Sequence, residues 1–167
     1  MLELTVGIDA SRNRSGGAKA YLLGILSEIN PSEYGIKKVH LWAPDQLLIE
    51  IEDYKWLIKH SVKELQQSLT MQIWWQLVKL STEARRIGCD VIFTTDASTF
   101  CRFKPMIVLS QDMLSYEPGA MRHYGFSKKR LRLLAIRSIQ NSAFRFADGV
   151  IFLTQYAQDF DYQLLRF

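Results

Sequence analysis

Several common signatures are missing from this 167-residue chain. Its two cysteines, Cys89 and Cys101, sit in no Cys-x-x-Cys or Cys/His pattern. That excludes a disulfide framework and a structural zinc site, fits a reducing compartment, and predicts both thiols as core or loop filling. The histidines, His40, His60 and His123, show no metal-ligand spacing either. No run approaches the roughly 18 apolar residues of a membrane-spanning helix. The start, MLELTVGIDA, carries Glu3 and Asp9 and has no basic leader, long apolar stretch or small-residue cleavage site, so a cytoplasmic location is expected rather than secretion. G-x-G-x-x-G and Walker A fingerprints are absent, as are internal repeats and low-complexity linkers.

What is present suits one globular domain over 1–167: 48% hydrophobic residues build a core, and 23% charged residues cover it. The net charge of +4 is unevenly spread. Residues 1–100 hold 11 Lys/Arg against 12 Asp/Glu, whereas 101–167 hold 10 against 5, which directs a search for acidic partners to the second part. Between Arg122 and Arg145 lie Arg122, Lys128, Lys129, Arg130, Arg132, Arg137 and Arg145 with no Asp or Glu. Anionic lipid headgroups, a phosphorylated acceptor or a partner surface would explain such a segment, and so would a solvated basic face. Binding to nucleic acid is not expected, because the overall charge is low and no recognition motif is present.

Apolar runs alternate with helical patterns along the chain. LTVGIDA reads as a buried strand, the polar SRNRSGG as a loop, and AKAYLLGILSEI as a helix stopped by Asn30-Pro31. KVHLW (38–42) is a second strand, and 45–63 is read as a short helix followed by a strand. Residues 64–87 contain no Pro or Gly and end at Gly88, which predicts a long helix whose inner face carries Trp74, Leu77, Val78 and Ser81. Trp74 and Trp75 point about 100° apart on such a helix, so one is core and the other surface. DVIFT (90–94) and MIVLS (106–110) are buried strands, Ser127 caps a helix through about 147, GVIFL (149–153) is a further strand, and 155–167 is helical. Leu131, Leu133, Leu134 and Ile136 are expected to face the core. The fold expected is α/β, a Rossmann-like, doubly wound, mainly parallel sheet with helices on both faces. Ligands then bind beyond the carboxyl ends of the strands, which nominates loops 11–17, 43–46, 95–104 and 111–119.

Three of these loops carry candidate chemistry. In Ser11-Arg12-Asn13-Arg14-Ser15-Gly16-Gly17, the glycines allow close backbone approach and the following helix start attracts an anion, with Arg12 and Arg14 adding to the attraction. A tight strand-to-helix turn would explain the same glycines. Asp96 and Ser98 offer a carboxylate and a hydroxyl for sugar hydroxyls, or else a cap or turn. Gln111, Asp112 and Glu117 converge where substrate should lie, or simply form a polar loop.

VGIDASRNRSGGAKAYLLGIL, DVIFTTDAS, and MIVLSQDMLSYEP followed by RLRLLAIRSIQNSAFRFADGVIFLTQYA occur in an order that resembles the N-terminal domain of the retaining glycosyltransferases called group 1 or family 4. The resemblance covers nearly the whole chain, 45–63 being the least diagnostic part. It implies half of a two-domain GT-B fold, a nucleotide-sugar donor, and a saccharide or lipid-linked acceptor, with no metal or other cofactor. Gly16, Gly17 and Arg12 would lie at the donor phosphates, Asp96, Ser98 and Glu117 at the acceptor, and Gln111 with Asp112 at the reacting centre. Many relatives carry a histidine where Gln111 and Asp112 stand here. On the same resemblance, a donor-binding domain with its pair of glutamates would lie outside these 167 residues. Peripheral contact with an anionic membrane at the inner face, through 122–137, also fits the resemblance.

Overall fold

Six of the apolar runs form the strands of one parallel sheet in the computed structural model, which describes residues 3–14, 16–111, 114–116 and 127–158. They are β1 (Leu4–Asp9), β2 (Ile36–Trp42), β3 (Leu57–His60), β4 (Val91–Thr94), β5 (Met106–Ser110) and β6 (Gly149–Phe152). Their order is β3-β2-β1-β4-β5-β6, and every adjacent pair is parallel. The chain winds outward from β1 to β3, then crosses back to β4 and continues the other way. The Rossmann-like, doubly wound architecture is therefore present, with its switch point between β1 and β4.

The connecting helices are α1 (Gly17–Glu28), α2 (Asp45–Glu50), α3 (Leu69–Trp75), α4 (Ser81–Arg86) and α5 (Lys128–Phe146). The stretch 45–60 is indeed helix then strand. Successive residues of β2 go to opposite faces. Leu41 joins Ile8, Leu22, Leu26, Leu47 and Leu57 under α1 and α2, whereas Trp42 joins Trp75, Leu80, Ile92, Met106 and Phe144 under α3, α4 and α5. Both cysteines are free and buried.

Two elements depart from the sequence pattern. The helix expected from residue 64 is preceded by a separate 3₁₀ turn, Lys63–Gln66, which buries Leu65; the helix itself starts at Leu69. It then runs into a π-helical stretch, Gln76–Leu80, before continuing as α4. Gly88, at φ 80°, ends the rod as expected. Of the inner face expected, only Ser81 is buried. Gln72, Trp75, Gln76, Leu80, Ser81 and Ala84 are buried, while Trp74, Leu77 and Val78 are exposed. Gln72 and Ser81 would lie about 180° apart on a straight α-helix. The wider π turn brings them to one side, so a 3.6-residue count selects the wrong stripe. In α5 only Leu133 of the four expected core residues is buried; Leu131 and Leu134 are exposed and Ile136 is half-buried. Residues 155–158 form a helical turn, and the rest of the helix expected through 167 lies outside the described residues.

Candidate functional site

Strand β1 ends on a carboxylate that is buried instead of solvated. Asp9 Oδ1 accepts the Ser11 backbone N–H at 3.1 Å, and Oδ2 accepts Gln76 Nε2 at 2.8 Å and the Thr99 hydroxyl at 3.5 Å. Gln76 Nε2 also reaches Ser11 Oγ at 2.9 Å. The Asp9 carbonyl accepts both the backbone N–H and the hydroxyl of Thr95, at 3.2 and 3.1 Å. The end of β1, the π turn and the loop after β4 are thereby clasped to one another. Burial pushes the Asp9 carboxyl above its ordinary range; the hydrogen bonds from Ser11 and Gln76 oppose that shift, and nearby Asp96 adds to it. Burial likewise raises the Cys101 thiol, to about 11, with the Asp9 charge adding. That thiol is not an activated nucleophile.

Above this clasp, the loop between β1 and α1 turns back on itself. The Asn13 side chain donates to the Ala18 carbonyl at 3.2 Å. Gly16 has φ 77° and ψ −159°, a conformation essentially confined to glycine, and α1 then begins at Gly17 with no side-chain cap and no acidic residue in its first turn. The first amides of a helix have no partner within it and carry the positive end of its dipole, which favours an anion there. A methyl group on Gly17 would stand 3.9 Å from Gln111 Oε1, so this helix start faces the loop after β5. Arg12 is committed differently: its guanidinium donates to the Ser98 carbonyl at 2.5 Å and lies 3.6 Å from Asp96 Oδ2. Arg14 reaches away to the Leu65 carbonyl.

A cleft of about 400 Å³ opens at the carboxyl ends of β1, β4 and β5. Arg12 and Gly17 line it from the first loop, Asp96 and Ser98 from the second and Gln111 from the third, while α5 contributes Arg132 and Gln140. Five residues singled out from sequence thus share one cavity, with Gly16 next to Gly17; Asp112 and Glu117 lie outside the described residues. Asp96 Oδ1 also accepts the Ser98 backbone N–H at 2.7 Å, so this pair shapes its own loop as well as lining the cleft. Gln111 Nε2 is buried with no hydrogen-bond partner, a donor held ready beside the helix start. Gln140 is taken up by the Ser115 hydroxyl at 2.9 Å. Chemically the cleft offers backbone amides, a guanidinium and an amide to an anion, and Asp96 to a hydroxyl.

No protein-family model and no curated protein matches the chain. Its functional reading therefore rests on the site itself.

Sequence reasoning passed over Asp9 and Gln76, and placed Arg132 in the basic segment without bringing it to the cleft. A carboxylate closing an otherwise apolar central strand was the available signal for Asp9. Gln76 gave none, because its inward aim depends on the π turn. The histidines also form a feature that spacing alone did not show. His40 Nδ1 and His60 Nε2 are 2.8 Å apart, and the His60 ring stacks on Trp42 at 4.9 Å. Burial lowers both pKa values, and for His40 the His60 charge lowers it further. Among the described residues no group of three His, Cys, Asp or Glu side chains could hold a metal, and no helix is long and apolar enough to cross a membrane.

Proposed function

We propose that this chain is the acceptor-side half of a two-domain, GT-B type glycosyltransferase that moves a sugar from a nucleotide-sugar to a saccharide or lipid-linked acceptor with retention. One observation carries the reading: the uncapped start of α1 behind Gly16 shares a single cleft with Asp96, Ser98 and Gln111 at the sheet's switch point. Anion-binding amides and a hydroxyl-binding carboxylate side by side suit a diphosphate and a sugar. In this reading Gly16, Gly17 and Arg132 meet the diphosphate, while Arg12 braces the loops. Asp96, Ser98 and Glu117 hold the acceptor, and Gln111 with Asp112 lies at the reacting carbon. The bond from the sugar's anomeric carbon to the phosphate oxygen breaks, the nucleoside diphosphate leaves with that electron pair, and the acceptor hydroxyl bonds to the carbon as it loses its proton. A second Rossmann-like domain would complete the donor side, and the transfer requires no metal.

The test compares the full gene product with the 167-residue chain against UDP-, GDP- and ADP-sugars. Transfer by the full product, lost on replacing Gly16→Val together with Gly17→Val, is expected; transfer unaffected by that double change would overturn the role of this loop. A binding module without turnover is the second reading, and it has its own observation. Arg12, Asp96 and Ser98 are engaged with one another instead of standing free. Saturable binding of a nucleotide-sugar with no hydrolysis or transfer by either form would favour it.

Contact with an anionic membrane at the inner face belongs to the same proposal. Exposed Leu131 and Leu134 stand beside Lys128 and Arg130 around a largely apolar hollow of about 440 Å³. Apolar insertion next to cationic side chains suits an anionic bilayer surface. Sedimentation with phosphatidylglycerol vesicles, reduced by salt and abolished by Leu131→Glu with Leu134→Glu, is expected; sedimentation unchanged in that variant would refute it.

A further inference from the structure

A second hollow, of about 500 Å³, lies on the flank of the domain between the loop before β5 and the C-terminal half of α5. Arg102 enters it from the loop; Ser138, Asn141, Ser142, Arg145 and Phe146 enter it from the helix. Arg102 is held in place on three sides: Nη1 donates to the Cys101 carbonyl at 2.8 Å, Nη2 donates to Ser142 Oγ at 3.0 Å, and the guanidinium lies over the Phe146 ring at 5.1 Å. Ser142 accepts that bond, which leaves its own hydroxyl hydrogen to donate. Asn141 Oδ1 accepts the Tyr116 hydroxyl at 2.5 Å, which leaves the Asn141 amide N–H groups to donate. Arg145 makes no ion pair among the described residues. The carboxylate nearest in sequence, Asp148, is already committed to Lys104 at 3.1 Å and to the Met106 backbone N–H at 2.9 Å. The hollow therefore presents two guanidiniums and several neutral donors, and no carboxylate lines it.

From this cationic lining without a carboxylate we infer that the flank hollow is a binding site for the phosphate group of a small phosphorylated molecule, separate from the cleft at the sheet's switch point. An oxyanion with several acceptor oxygens matches forked guanidinium donors and adjacent hydroxyls, and Arg102 needs little reorganisation to meet it. Arg145, one to two helical turns from Ser138, Asn141 and Ser142, closes the opposite side of the same helical face. The site does not depend on the glycosyltransferase reading.

The test is amide chemical-shift mapping of the 167-residue chain titrated with inorganic phosphate and with a hexose 1-phosphate at constant ionic strength. Saturable shifts at residues 102 and 138–146 are expected, with Arg145→Ala weakening them by about ten-fold or more. They should persist when Gly16→Val and Gly17→Val disable the first loop. Equal shifts in Arg145→Ala, or the same shifts from sodium chloride alone, would overturn the inference. Arg145-dependent binding to phosphatidic acid vesicles without any response to the soluble phosphates would place the phosphate on a lipid and overturn the small-molecule assignment. Arg145 is exposed, so unfolding of the variant is not expected; an unchanged thermal midpoint without ligand checks this.

Discussion

Gly16 and Gly17 are adjacent, yet they are glycines for different reasons. Gly16 is required by its backbone: at φ 77° and ψ −159° any side chain is strained even though the space around it is empty. Gly16→Ala is expected to cost about 1–3 kcal/mol in denaturant unfolding. Gly17 lies in a helix, and its missing side chain opens the cleft towards Gln111. Gly17→Ala should therefore leave stability within about 0.5 kcal/mol while weakening any ligand held at the helix start. Gly7 illustrates a third reason, since a methyl group there would stand 3.0 Å from Trp42 Cζ3 and 3.2 Å from both Cys89 Sγ and Ile92 Cγ1. Gly7→Ala should destabilise by about 1–3 kcal/mol through overpacking, measured in the same way.

The rod from α3 through the π turn to α4 shows how an element can mislead a periodicity argument. Trp74, Leu77, Val78 and Ser81 follow α-helical spacing, but the wider turn at Gln76–Leu80 turns Trp75, Gln76 and Leu80 inward instead. Trp75 is fully buried and packs 6.4 Å from Trp42, whereas Trp74 is 41% exposed under Lys79. Trp75→Ala is expected to cost about 3–5 kcal/mol and Trp74→Ala at most about 1 kcal/mol. Equal costs would show that the π turn is not kept in solution. Deleting Val78 should turn the π stretch into regular α-helix and keep Leu80, Ser81 and Ala84 on the same side as Gln72 and Trp75, because a π turn absorbs one extra residue. A cooperative unfolding transition kept by the deletion variant is the readout, and its loss would overturn this account of the turn. The same turn aims Gln76 at Asp9 and Ser11, so this irregularity also supports the first loop of the cleft.

Across the whole molecule, the His40–His60 pair and Asp9 give stability opposite pH slopes. The folded protein holds protons on His40 and His60 less tightly than the unfolded chain, whose histidines titrate near 6.5. Their contribution is complete above 6.5 and is lost as pH falls from there through the lowered folded values. Asp9 behaves the other way, because its carboxyl is raised above 3.8. Its buried charge costs nothing below 3.8, and the cost grows as pH rises through the folded value. Denaturant unfolding measured across pH should separate the two. His60→Phe keeps a ring on Trp42 and should flatten the decline below 6.5. Asp9→Asn should gain on the wild type as pH rises above 3.8, in slope even where lost hydrogen bonds lower its absolute stability. An unchanged slope in Asp9→Asn would mean that this carboxyl is not buried in solution.

Local sequence determined the strand at each apolar run, the alternation of strands and helices, the Ser127 cap, the Gly88 stop and the membership of three loops in one cleft. Each of these depends on neighbours within a turn or two, or on the rule that parallel strands place their following loops at one edge of the sheet. Tertiary structure decided the partners that lie far apart along the chain. Arg12 lines the cleft and also braces Ser98 and Asp96, in a loop more than 80 residues away, a partnership that nothing local to Arg12 shows. Asp9 closes a strand in sequence, yet in space it anchors Thr99 and a glutamine 67 residues away. Leu131 and Leu134 look like core residues by composition but remain exposed, because the face α5 packs against the sheet is the one bearing Leu133, Gln140, Ala143 and Phe144. Periodicity records which residues can share a face; only the packing of helix on sheet selects the face that is buried.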